Sequence, residues 1–121
     1  MSNNNNFEVS TDQELRELIQ QTQDKWPIVL DSTQLKQRAE LYKALGDETR
    51  LKIVGMLSMG DLCLCEMISA LQSPASTINH HLKILERGNL INYRKEGKFT
   101  IYSLRPEIIS QLRFFLNIQH D

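Results

Sequence analysis

The chain of 121 residues predicts a mainly α-helical domain that ends in one small β-hairpin and a final helix. Three observations carry that expectation. Apolar residues recur at helical spacing in six stretches, helix-starting and helix-stopping residues separate those stretches, and between about residues 90 and 104 the period of the pattern drops to two.

The first six residues hold four asparagines and nothing to bury, so residues 1–10 read as a disordered N-terminal segment and 11–121 as a single domain. Ser10, Thr11 and Asp12 offer capping oxygens ahead of Leu15, Leu18 and Ile19, which predicts a helix over about 12–23, ended by Trp26-Pro27. A second helix begins near Ser32-Thr33, carries Leu35, Leu41, Tyr42 and Leu45, and stops at Gly46. Asp47 caps a third, whose stripe is Leu51, Ile53, Val54 and Leu57, and Gly60 closes it. Asp47 and Glu48 sit where a helix N-terminus favours negative charge, so capping rather than catalysis is their expected role.

A short helix over about 63–71 leads to Gln72-Ser73-Pro74, read as a turn with serine at the N-cap and proline opening the next helix. That next helix, to about Glu86, turns Ile78, Leu82 and Leu85 to one side and Ser76, Thr77, Asn79, His80 and Lys83 to the other. The second group supplies donors and acceptors suited to base edges and phosphates. Two helices joined by a short turn, the second with a polar reading face, make a helix-turn-helix. Residues 90–95 and 98–104 then alternate around Glu96-Gly97, and a basic hairpin directly after a reading helix is a wing. Pro106 opens a last helix with Ile108, Ile109, Leu112, Phe115 and Leu116 on its apolar face. The expected architecture is therefore a winged helix-turn-helix over about 47–105. The helices of 12–45 and 106–121 carry surplus apolar surface and are expected to form a dimer interface.

The net charge of −1 conceals a strong division. Residues 1–33 hold two basic and six acidic side chains, whereas residues 83–105 hold six basic and two acidic. Positive charge, with Arg94, Lys95 and Lys98 in the wing, is concentrated where a phosphate backbone would be met. Two cysteines, no cleavable apolar leader and no long apolar run point to a cytoplasmic protein that needs no membrane.

Both cysteines lie one residue apart, in Asp61-Leu62-Cys63-Leu64-Cys65-Glu66, just upstream of the reading helix. On a regular helix their side chains diverge, so joint ligation of one soft ion is expected to require the first turn to unwind, and a disulfide between them is not expected. A thiolate pair selects thiophilic ions such as Cd(II), Pb(II), Zn(II) or trivalent arsenic and antimony. The bland alternative is that the cysteines pack as small hydrophobes. His80 and His81 are adjacent and diverge on a helix, so ligation by both is not expected.

The runs 41–53 (LYKALGDETRLKI), 61–66 (DLCLCE) and 76–85 (STINHHLKIL) together resemble the ArsR-type family of metalloregulatory repressors, over about residues 35–105. The resemblance implies a homodimeric winged helix repressor that binds double-stranded DNA at an inverted-repeat operator without any cofactor. It also implies release when a metal or metalloid binds, with As(III) or Sb(III) at Cys63 and Cys65 the favoured inducer. In arsenic-responsive members a third cysteine would fall at position 68, where this chain has Ile68. Related cadmium and lead sensors add a cysteine from the N-terminal arm, which has none here. The family's other site, in the last helix, would have only Glu107, His120 and Asp121 to draw on. Met67 is a weak soft ligand and is expected in the core.

The main alternative is a regulator of the same type whose cysteines sense oxidation or have no sensing role. An enzyme is not expected: no acid/base partner neighbours the cysteines in sequence, and neither a Gly-rich phosphate loop nor Cys-x-x-Cys spacing occurs. The polar face from Ser76 to Lys83 argues against a winged helix used only for protein contacts.

Overall fold

The computed structural model describes residues 6–26 and 32–116, with side chains through Phe114. The asparagine-rich first five residues, Pro27, and residues 117–121 with His120 and Asp121 lie outside the described residues. The chain divides into two compact units, residues 1–36 and 37–121.

In the first unit, α1 spans Asp12–Lys25 and starts at Thr11, which forms a reciprocal cap with Glu14. The Thr11 amide donates to Glu14 Oε1 at 2.8 Å and the Glu14 amide donates to Thr11 Oγ1 at 3.1 Å. Trp26 is the C-cap, its amide donating to the Thr22 carbonyl. Leu15, Leu18 and Ile19 share a face as their spacing dictates, and all three are exposed. The unit ends within α2 (Ser32–Leu45), whose remainder belongs to the second.

The second unit continues with α3 (Glu48–Leu57), β1 (Leu62–Cys63), α4 (Leu64–Leu71), α5 (Ala75–Arg87), β2 (Ile91–Glu96), β3 (Phe99–Leu104) and α6 (Pro106–Leu116). The strands form one antiparallel sheet in the order β1-β3-β2. Alternate packing of Ile53, Val54 and Leu57 from α3 against Ile78, Leu82 and Leu85 from α5 builds the core, which Met67, Leu90, Tyr102, Leu104 and Leu112 complete. Met67 is fully buried, as expected of a flexible apolar side chain. Gly88 lets α2 pass close over the end of α5: a Cβ there would lie 2.9 Å from Ala44 Cβ and 3.1 Å from the Glu40 carbonyl oxygen. Gly97, with φ +59°, turns the hairpin between β2 and β3. Among the described residues no helix is long and apolar enough to cross a membrane.

Mainly helical, with a helix-turn-helix of α4 and α5 and a wing of β2 and β3, the architecture is the winged helix-turn-helix the sequence predicts. Two local features differ. Strand β1 was absent from the expected elements, because two residues carry no readable periodicity and exist as a strand only through pairing with β3. Proline 74 is the N-cap of α5, not its first helical residue, and it makes no side-chain capping bond. Ser73, expected to cap, instead directs its hydroxyl to the Leu71 carbonyl at 3.4 Å, because left-handed Gln72 (φ 52°) turns the chain first.

Candidate dithiol site and nucleic-acid face

Cys63 is the last residue of β1 and the N-cap of α4 at once. Its backbone is extended (φ −84°, ψ 162°), which removes it from the helical rotation that would separate it from Cys65. The amide of Cys63 donates to Glu66 Oε1 at 2.9 Å, and the Glu66 amide points at Cys63 Sγ from 3.4 Å. A cysteine thus fills the place that serine or threonine takes in a capping box. The end of the helix presents an N–H to that sulfur, an arrangement that favours negative charge there.

This geometry corrects two expectations. No unwinding of α4 is needed for the sulfurs to meet, since the extended N-cap already brings the two Cα atoms to 5.4 Å. A disulfide between them was not expected, yet Cys63 and Cys65 are disulfide-bonded. The physical reason is the same in both cases: the strand ends at Cys63 and the helix begins one residue later, so the pair is not on one regular helix.

Cys63 is buried and Cys65 exposed. On the exposed side two adjoining cavities, of about 290 and 370 Å³, border both cysteines. Their walls are Leu64, Ile68 and Glu66 of α4 and residues 98–101 at the start of the wing's second strand. Residue Ile68 lies one helical turn beyond Cys65 and lines the same space. Cys63 pairs with Ile101 in the sheet, so the dithiol is tied to the wing through backbone as well as through the cavity wall. Among the described residues no group of three or more His, Cys, Asp or Glu side chains is placed to hold a metal ion. Glu107, suggested by the sequence for a second metal site, is instead paired with Arg105 at 2.8 Å.

The five residues expected to read DNA all lie on α5. Ser76, Thr77, His80 and Lys83 are exposed and Asn79 is half-buried, while Ile78, Leu82 and Leu85 turn inward. The wing cations are exposed too, but they are not idle. Arg94 donates to Asp61 at 2.8 Å and to Glu96 at 2.6 Å, two carboxylates that hold its pKa above the ordinary value, with Glu96 the larger influence. Lys95 donates to Thr100 Oγ1 at 2.8 Å, and Lys98 lies over the Phe99 ring at 5.7 Å. Of the wing cations, Arg94 alone is paired with carboxylates, one of them only two residues before Cys63.

His81 is separated from His80 in role. Arg50, buried beneath the reading helix, donates to the carbonyls of Ala44 at 2.8 Å and Lys43 at 3.1 Å and approaches His81 Nδ1 at 3.0 Å. A guanidinium only donates, so Nδ1 accepts and the ring proton is assigned to Nε2. Burial holds the His81 pKa below its ordinary value against the opposing pull of the Asp47 carboxylate. Asp47 caps α3 by accepting the Arg50 amide at 3.1 Å, and that bond keeps its carboxyl below the usual range. Arg50 thus fastens α2 to the back of α5, a role that nothing in its local sequence signals.

The model of the family described as "Bacterial regulatory protein, arsR family" matches residues 47–93, from the cap of α3 into the wing. A relative from Staphylococcus aureus, described as a cadmium resistance transcriptional regulatory protein CadC homolog, is 44% identical over 75 residues. That match covers 61% of this chain and 62% of the relative, less than two thirds of its length. An arsenical resistance operon repressor of Staphylococcus xylosus is 34% identical over 83 residues, covering 69% of this chain and 80% of the repressor. Among solved structures, HlyU of Vibrio cholerae superposes with a TM-score of 0.62 at 31% identity, over 68% of this chain and 90% of that one.

Proposed function

Because the chain belongs to the ArsR family of bacterial regulatory proteins, DNA-binding transcriptional regulators and not enzymes, we propose that it is an inducible repressor. In this reading its operator is released when a thiophilic metal or metalloid, foremost As(III) or Sb(III), is bound by reduced Cys63 and Cys65. The observation that carries the reading is the convergence of these two sulfurs at the joint between β1 and α4, directly ahead of the helix-turn-helix.

DNA is met by Ser76, Thr77, Asn79, His80 and Lys83 of α5, with Lys95, Lys98 and Arg94 of the wing on the flanking phosphates. The protein acts in the cytoplasm as a homodimer, for which the exposed apolar face of α1 speaks. Two-fold symmetry then places the reading helices about 34 Å apart on an inverted repeat. Arg94 holds Glu96 through Nε and Asp61 through Nη1, so the direction its guanidinium presents to a phosphate depends on where the segment before β1 sits.

Ligation sets the separation of the two sulfurs, and each sulfur belongs to a different element. Cys63 carries the change to β3 and the wing through its pairing with Ile101, and Cys65 carries it along α4 toward α5. A change of wing position relative to α5 is enough to spoil simultaneous contact with groove and backbone.

The disulfide favours a second reading, in which oxidation of the pair rather than ligation is the signal. A titration of DNA release separates them. Fluorescence anisotropy with DNA from the chain's own promoter region, reduced protein, and parallel additions of arsenite, antimonite, cadmium, zinc and peroxide is expected to show release by arsenite and antimonite at about one equivalent per dithiol. Release by peroxide alone would move the assignment to oxidation.

A further inference from the structure

The contact between the wing and the segment ahead of β1 bears on DNA affinity, an inference that rests on the reading of Arg94 as a phosphate contact. Register places Arg94 of β2 opposite Ile101 of β3, and Ile101 opposite Cys63 of β1, so the three form one row across the sheet and share a face. Asp61 reaches over the central strand and accepts from Arg94 Nη1 at 2.8 Å, while Glu96 accepts from Nε at 2.6 Å. The pair with Asp61 is open to solvent, with 48% of the Arg94 side chain and 44% of the Asp61 side chain exposed. Exposed pairs of this kind contribute little to folding stability, and what they do set is the charge offered to an approaching partner.

Arg94 Nη2 has no partner among the described residues, so the guanidinium keeps donors for a phosphate oxygen. Its charge is compensated all the same. One positive group faces two negative ones, and a phosphodiester arriving there meets a point that is negative on balance. Lys95 and Lys98 keep their charge, being held by the Thr100 hydroxyl and the Phe99 ring. Glu96 is a neighbour of Arg94 on the same strand, whereas Asp61 comes from 33 positions away and is brought to the wing by the fold.

We propose that Asp61 is an affinity-setting residue for the DNA backbone: its carboxylate plays at Arg94 the electrostatic part of a phosphate and holds wing binding below what the cation alone would give. The effect falls on every DNA sequence alike, because phosphate contacts carry no base identity. Asp61 lies two residues before Cys63, at the entry to β1, so a shift of that segment against β3 alters the separation of Asp61 from Arg94 and with it the charge of the wing. A buttress whose task is only to aim Arg94 predicts weaker DNA binding when it is removed. A phosphate stand-in predicts tighter binding, and the sign separates the two.

The test measures binding of the full chain, reduced with a phosphine, to the promoter fragment and to a duplex of unrelated sequence, by fluorescence anisotropy from about 50 to 200 mM salt. Arg94→Gln is expected to weaken both and to flatten the salt slope. Asp61→Asn should tighten both by about threefold at the lowest salt, the effect of lifting one charge about 7 Å from a phosphate in water, and steepen the slope by up to about 0.9, the value of one phosphate contact. Asp61→Glu keeps the charge and should bind as the wild type does. In an Arg94→Gln background the gain from Asp61→Asn should fall by at least half, because that guanidinium is what holds the carboxylate at the wing. Asp61 is exposed and has no other partner among the described residues, so its variants keep the fold. Weaker binding by Asp61→Asn, an unchanged slope, or an equal gain in both backgrounds overturns the proposal while Arg94 stands as a phosphate contact. Unchanged binding by Arg94→Gln removes that contact and the proposal with it.

Discussion

Replacing Cys63 and Cys65 with serine, singly or together, is expected to leave operator DNA bound with affinity changed by no more than about twofold, because neither side chain belongs to the exposed face of α5. The same variants should lose the response to arsenite. With one sulfur gone the second bond to arsenic is no longer intramolecular, and the inducer concentration needed should rise by about 100-fold or more. Serine is a suitable probe at position 63, since its hydroxyl is a good N-cap acceptor and keeps the reciprocal bond with Glu66. Cys65 is exposed, so its replacement opens no cavity. Anisotropy titrations of wild type and variants on one DNA fragment check the result. Variants that no longer bind DNA at all would make the cysteines structural and end the sensing account.

Arg50→Ala is expected to destabilise the second unit by about 3 kcal/mol, because it removes a buried guanidinium and leaves its partners unpaired. Only 8% of Arg50 is exposed, and its side chain satisfies the Lys43 and Ala44 carbonyls where α2 ends while donating to His81. Truncation strands those carbonyls and the imidazole together. Lysine at 50 keeps the charge but cannot reach three acceptors with a planar fork, so it should recover less than half of the loss. Denaturant midpoints for wild type, Arg50→Ala and Arg50→Lys measure this; a loss below about 1 kcal/mol for alanine would show that water replaces the guanidinium.

The contrast between these two sites shows what the residue order discloses. Helix caps at Thr11 and Asp47, the proline opening α6 and the alternation of the wing are all local, and each was legible because one residue type answers one backbone need, whereas α3 ends at Leu57 with Ser58 as its cap, ahead of the stop expected at Gly60. The reading face of α5 was legible for the same reason, since helical spacing alone parts Ser76, Thr77, Asn79, His80 and Lys83 from Ile78, Leu82 and Leu85. Cys63 as an N-cap was not, because cysteine is outside the usual capping set, and the strand that ends there is created by a partner some forty residues later. That single misreading led to the expectation that ligation must unwind α4. The hold of Asp61 on Arg94, across 33 positions, and the burial of Arg50 against His81, across 31, are tertiary facts with no periodic trace. In each case a side chain that reads as solvated surface is claimed by a distant part of the chain.

The central claim is that one thiophilic atom is gripped jointly by Cys63 and Cys65. X-ray absorption at the arsenic edge tests it most directly, on full-length protein reduced with a phosphine, free of added thiols, and given one equivalent of arsenite. Two sulfur neighbours per arsenic, reduced to at most one in Cys63→Ser or Cys65→Ser, is the result this account predicts. An arsenic surrounded only by oxygen, or a sulfur shell unchanged in the serine variants, would contradict it.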